Sequence, residues 1–328
     1  MIAGERVLKG GSLNKTALLT MDDGRQLIRK SISLVEDREY GFVRWNSQMK
    51  RIQRYNKLFP GLFPELLDVG TEGDTAFLDI EYIADGVDLK LYLVDQAPGA
   101  EAIAGMHDAL WAALDRMHEV KLDPNPASLG LYFKEEVERK LRDALADESF
   151  RAFAEAKEIS FHDQPCKPLI RNLEAYAAAF RAARVEEECF THGNVTLENV
   201  VYVPGEGRIV FIDPYDENIV DCPENEYSQV LQCCRNHYGF INDRKVVIEG
   251  ERATFEEPVP EALTAFNGLF VGRLESRLSA ERLALVRLFE ISQFARMLPF
   301  KVAAGDIDKA KYFYAFASKL LDDTLTPT

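Results

Sequence analysis

In the first third of the chain, apolar positions alternate with polar ones in short runs broken by glycine and aspartate, the period of half-buried strands. Residues 5–8 lead through Gly10, Gly11, Ser12 and Asn14 into a run at 16–21, and Asp22, Asp23 and Gly24 turn the chain into a third at 26–32. From 36 to 58 the period changes. Phe42, Trp45, Met49, Ile52 and Tyr55 recur at three- and four-residue spacing, as on one face of a helix. Two further strand-like runs, 66–70 and 75–83, flank a turn at 71–74, and Ala84, Asp85 and Gly86 read as a hinge. The pattern predicts a five-stranded antiparallel sheet with one helix.

Beyond the hinge the period is helical. A short helix is expected at 88–94 and a long one at 100–120, with Ile103, Met106, Leu110, Leu114 and Met117 on one face. Helical segments at 134–146 and 168–183 make 121–187 read as all-α, and further helices are expected at 225–237, 260–278, 280–296 and 306–323, with a hairpin at 245–255. The interruption is central: a tight loop at 190–199, a short apolar strand, a turn at Gly205 and Gly207, and a second apolar strand that ends in Asp213. That layout brings Asn199 and Asp213 to one end of a small hairpin. Both carry hard oxygen ligands, the kind Mg²⁺ takes when it also holds phosphates. The class predicted is α+β, with a small antiparallel-sheet part at 1–84 and a larger, mainly helical part at 85–328.

Composition adds exclusions. With 328 residues, 47% hydrophobic, the chain can bury a large core. A net charge of −15, without a run of Lys and Arg, argues against a nucleic-acid partner. Five scattered cysteines without C-x-x-C spacing indicate reduced thiols rather than a disulfide framework or a zinc site. No apolar stretch approaches the ~20 residues of a membrane span, and the expectation is a cytoplasmic protein with no membrane partner. His107 and His118 share the long helix without a metal-spaced acid cluster and read as surface or core residues rather than ligands.

The central block resembles the catalytic and metal loops of the aminoglycoside phosphotransferase and choline kinase-like family, a branch of the protein kinase-like fold. The family pattern is H-G-D-x-x-x-x-N followed by an apolar strand ending I-D; here it is matched by His192, Gly193, Asn199 and Asp213, with Asn194 where the family has its catalytic aspartate. The resemblance implies two lobes: a nucleotide-binding lobe at 1–84, and a helical lobe at 85–328 carrying the catalytic and metal loops and the acceptor site. It implies transfer of the γ-phosphoryl group of ATP or GTP to a hydroxyl of a small molecule, with Asn199 and Asp213 holding Mg²⁺ and Lys30, ahead of Arg29, holding phosphates. Gly10, Gly11, Ser12 and Asn14 would form the phosphate-covering turn, and the backbone of Glu81 to Ile83 would face the adenine edge. Gln48 stands where the family has a glutamate to pair with the lysine; a different acid, such as Glu39, would be the alternative partner. Asp221 or Glu226 would brace the catalytic loop, which His192 orders from beneath.

At position 194, Asn can accept a hydrogen bond but is no base at neutral pH, and losing general-base help typically costs ~10²–10⁴-fold. Two readings follow: a phosphotransferase with impaired or altered chemistry, or a pseudokinase that binds nucleotide or serves as a scaffold. The net charge and the acid-rich stretch after Asp213 favour a cationic acceptor over a sugar.

Overall fold

A computed structural model of the protein describes residues 1–8, 15–35, 38–123, 125–215 and 218–326, without the side chains of 38–41 and 44. Strands β1 (Ile2–Leu8), β2 (Lys15–Met21), β3 (Gln26–Ser33), β4 (Leu66–Glu72) and β5 (Thr75–Glu81) form one antiparallel sheet in the order β1-β2-β3-β5-β4. The turns that join them rely on glycine where φ is positive: Gly24 at +84° between β2 and β3, and Gly73 at +57° between β4 and β5. The register sets Arg29 opposite Asp79 and Lys30 opposite Leu78. Because neighbouring residues of a strand point to opposite faces, the two cations leave the sheet on different sides.

Helix α1 (Arg38–Leu58) crosses between β3 and β4, and its apolar stripe is shared between two cores. Ile52 packs with Leu78 and Ile80, with Trp45 against them, in a small cluster under the sheet. One turn on, Tyr55 and Phe59 join Leu62 and Phe63 in the large core of the C-terminal part. The helix therefore ties the sheet to the rest of the molecule at a cost of one exposed end, where Phe42 and Val43 face solvent.

After the hinge, β6 (Val87–Asp88) pairs with the strand Val200–Val203, which pairs in turn with Arg208–Phe211. The hinge is tight: a Cβ on Gly86 would lie 2.6 Å from Val201 Cγ1 and 2.8 Å from Ile83 Cγ2. Helices α2 (Leu89–Asp95) and α3 (Ala100–His118) follow. The predicted face of α3, Ile103, Met106, Leu110, Leu114 and Met117, is buried throughout. Helices Pro223–Cys234, Ala280–Ala303 and Ile307–Leu325 complete the core around Phe289, Phe294 and Tyr314.

The reading of 121–187 as all-α needs correction. Strands Ile159–Phe161 and Gln164–Cys166 join Val247–Glu249 and Arg252–Thr254 in a four-stranded sheet, and Lys121–Leu122 pairs with Glu188–Cys189. Strands of two or three residues are too short to show a period, and their partners are distant in sequence. The class is α+β, with an antiparallel N-terminal sheet and a mainly helical C-terminal part. All five cysteines are free and buried. Among the described residues, no helix is long and apolar enough to cross a membrane.

Candidate functional site

The loop at 190–199 is held rigid by side chains beneath it. His192 is fully buried; its Nε2 lies 2.8 Å from the Ile212 carbonyl, and its Nδ1 lies 3.2 Å from the Asn194 backbone N–H. A carbonyl only accepts and an amide N–H only donates, so the ring must carry its proton on Nε2. Burial pushes its pKa down to about 3, which keeps the ring neutral near pH 7. It thereby clamps the loop onto the end of the strand Arg208–Phe211. Gly193 has φ +79°, and a Cβ there would meet the Tyr215 carbonyl at 2.8 Å. Only glycine fits that position without strain.

Helix Pro223–Cys234 braces the same loop. Glu226 accepts from the His192 N–H at 2.5 Å through one carboxylate oxygen and contacts His118 Nε2 at 2.6 Å through the other. Gln229 grips both sides: its Oε1 accepts from Val195 N–H at 2.8 Å and its Nε2 donates to the Gly193 carbonyl at 2.9 Å. Of the two acids considered for this role, Glu226 reaches the loop backbone, whereas Asp221 takes the Thr191 hydroxyl at 2.5 Å. Gln229 carried no signal in the sequence, since an amide in a helix is usually a surface residue. His118 is a packing residue with a specific task, holding Glu226.

Asn194 is exposed, and its backbone carbonyl accepts from Asn199 Nδ2 at 2.9 Å. With the amide nitrogen committed, Asn199 Oδ1 is the free end of that side chain. The Ile212 N–H donates to the Asn199 carbonyl at 3.0 Å, which sets Asn199 beside the residue that precedes Asp213. Asp213 takes φ +56°, a left-handed conformation that non-glycine residues rarely adopt, of the kind found at functional positions. A free amide oxygen and an exposed carboxylate suit Mg²⁺, which keeps several waters and is bound through one or two protein oxygens plus phosphates. No cluster of three or more His, Cys, Asp or Glu suited to a metal occurs among the described residues, so an all-protein cage is not present there.

A cleft of about 270 Å³ between the sheet and the hairpin collects Lys30, Glu81, Ile83, Asp88 and Asp213, with Ile28, Ile80 and Val201 as apolar walls. Lys30 forms an ion pair with Asp213, and burial pulls its pKa down to about 8, still charged at pH 7. Arg29 lies on the opposite face, bidentate to Asp79 at 2.7 and 2.8 Å and stacked 3.9 Å over Phe77. It is a structural cation of the sheet. The Glu81 N–H is taken by the Glu65 carbonyl at 2.9 Å. No described residue accepts from the Ile83 N–H, and Ile83 lines the cleft. Gln48 is half-buried on α1 and makes no hydrogen bond to a described residue; Lys30 is met by Asp213, not by Gln48. Gly10, Gly11, Ser12 and Asn14 lie outside the described residues, and so does the side chain of Glu39.

No family model and no curated protein matches the chain. Among solved structures it is similar to macrolide 2'-phosphotransferase MphH from Brachybacterium faecium, apoenzyme, at 14% identity and a TM-score of 0.45, covering 99% of this chain and 92% of that one. It is also similar to Rad53 1-466 in complex with AMP-PNP, at 10% identity and a TM-score of 0.35, covering 98% of this chain and 64% of that one. Likeness at this level says nothing about activity.

Proposed function

We propose that the protein is a nucleotide-binding phosphotransferase of the small-molecule hydroxyl kinase type, with chemistry slowed by Asn194. The observation that carries the reading is the cleft in which Lys30, the strand end at Glu81 to Ile83 and Asp213 line one cavity. A purine edge would meet the unpaired Ile83 N–H between Ile28 and Val201, and triphosphate oxygens would meet the Lys30 ammonium. Asn199 and Asp213 would hold Mg²⁺, whose contribution is to neutralise charge on the transferring phosphoryl group. Asn194, exposed at the loop tip, can orient an acceptor hydroxyl through its amide oxygen and leaves the proton to solvent or to the departing phosphate. The acidic chain suits a cationic acceptor better than a neutral sugar.

A second reading is a pseudokinase, a nucleotide-binding or scaffolding protein without transfer. Two observations favour it: the Lys30–Asp213 ion pair occupies a phosphate-holding cation with a metal-holding carboxylate, and Gln48 provides no competing anion. A thermal-shift scan with ATP and GTP, each with Mg²⁺, tests the shared premise. A nucleotide at 100 times its Kd is expected to add ~2.7 kcal/mol of stability, and Lys30→Ala should remove most of it. No shift with either nucleotide in the unsubstituted protein rules out both the transferase and the nucleotide-binding form of the pseudokinase.

A further inference from the structure

We propose that the chain carries a second ligand site, for a small phosphate-class oxyanion, where α1 faces the first residues of the His192 loop. A cavity of about 230 Å³ there is lined by Ser47, Lys50, Arg51, Arg54, Thr191 and Asp221, none of which lines the nucleotide cleft. Three cations thus meet one carboxylate, in a chain whose net charge is −15. The carboxylate is already engaged: Asp221 Oδ1 accepts from the Thr191 hydroxyl at 2.5 Å and from Asn218 Nδ2 at 2.9 Å. These donors temper its repulsion toward an anion.

The cations, by contrast, have no carboxylate partner among the described residues. Lys50 and Arg54 stand four residues apart on one helix face, an arrangement in which like charges oppose each other. Among the described residues no carboxylate pairs with either. Arg54 lies 4.4 Å over the Phe190 ring and makes no hydrogen bond to a described residue. Arg51 donates one Nη2 hydrogen to the Thr191 carbonyl at 3.2 Å, while its Nε is buried without an acceptor among the described residues. A buried N–H without a partner is rare in a finished structure, and the guanidinium fork matches two oxygens of one phosphate. Three cations without a carboxylate partner suit a free oxyanion or the phosphoryl end of a small monoester. Because the Thr191 carbonyl held by Arg51 also accepts from Tyr55 Oη at 2.6 Å, an occupant would sit against the start of the loop.

This site uses no residue of the cleft, so it stands or falls apart from the phosphotransferase reading. Calorimetric titration of the full chain with inorganic phosphate, and separately with phenyl phosphate, tests it. Binding is expected in the unsubstituted protein, to weaken at least ~10-fold in the Lys50→Gln, Arg54→Gln double variant as charge-assisted hydrogen bonds are lost, and to persist in Lys30→Ala. Both substituted side chains are exposed, so folding should survive; should the double variant unfold, Ser47→Asp, which adds a carboxylate to the wall, is expected to abolish binding alone. Phosphate binding without phenyl phosphate binding assigns the site to the free ion, and binding of both assigns it to a monoester end. The proposal is overturned if neither ligand binds, or if binding is lost in Lys30→Ala and kept in the double variant.

Discussion

Position 194 is where the chemistry of a single residue weighs most. The loop around it is fully built: His192 clamps it, Gly193 takes the left-handed turn, and Asn199 anchors to the Asn194 carbonyl. Asn194→Asp changes one atom and restores a carboxylate on that scaffold without disturbing the backbone bonds that hold it. Phosphoryl transfer or nucleotide hydrolysis is expected to rise by ~10²-fold or more, equal to at least ~2.7 kcal/mol of barrier. Steady-state assays that follow hydrolysis alongside transfer check this, because water can accept the phosphoryl group in place of an unidentified alcohol. No gain in a protein that binds Mg²⁺-nucleotide places the defect elsewhere, with Gln48 the first position to change. An ordinary rate in the unsubstituted protein, on the order of 1–100 s⁻¹, contradicts the reading of Asn194 as a lost base.

Among the elements, helix Pro223–Cys234 does more than pack. Every residue on it is buried, and two polar ones, Glu226 and Gln229, are spent on the loop backbone. Gln229→Leu keeps the volume and removes both hydrogen bonds, leaving the Val195 N–H and the Gly193 carbonyl without partners. Each orphaned buried group costs roughly 1–3 kcal/mol, so a loss of about 2–6 kcal/mol in urea unfolding is expected, with the loop's amides exchanging faster than those of the flanking strand Val200–Val203. Unchanged stability would mean that water replaces the amide and that the brace is dispensable.

For the whole molecule, the two cores differ greatly in size. Three buried side chains, Ile52, Leu78 and Ile80, make up the cluster under the N-terminal sheet, against a continuous core spanning the C-terminal helices. Stability should follow buried apolar contact. Hydrogen exchange measured by mass spectrometry is expected to show β1 to β5 opening at lower free energy than helices Pro223–Cys234 and Ala280–Ala303. The C-terminal end of α1, built into the large core through Tyr55 and Phe59, should exchange with the helices rather than with the sheet. Equal protection across both parts would mean that they unfold as one unit.

The sequence by itself determined what depends on local period and local chemistry. Alternation marked the strands of the N-terminal sheet, the three- and four-residue recurrence marked α1 and α3, and the block from His192 to Asp213 was legible because its residues are close along the chain. Only the tertiary structure decided which of Arg29 and Lys30 faces the cleft. Alternation says that they point apart, but the side that is inside depends on pairing with β5 and on where α1 packs. The same holds for Glu226 in preference to Asp221, for Gln229, for the strands hidden within 121–187, and for the basic cavity beside Thr191. Each rests on hydrogen bonds or contacts between segments far apart in sequence, which leave no periodic trace because their partners are set by how the helices and sheets pack together.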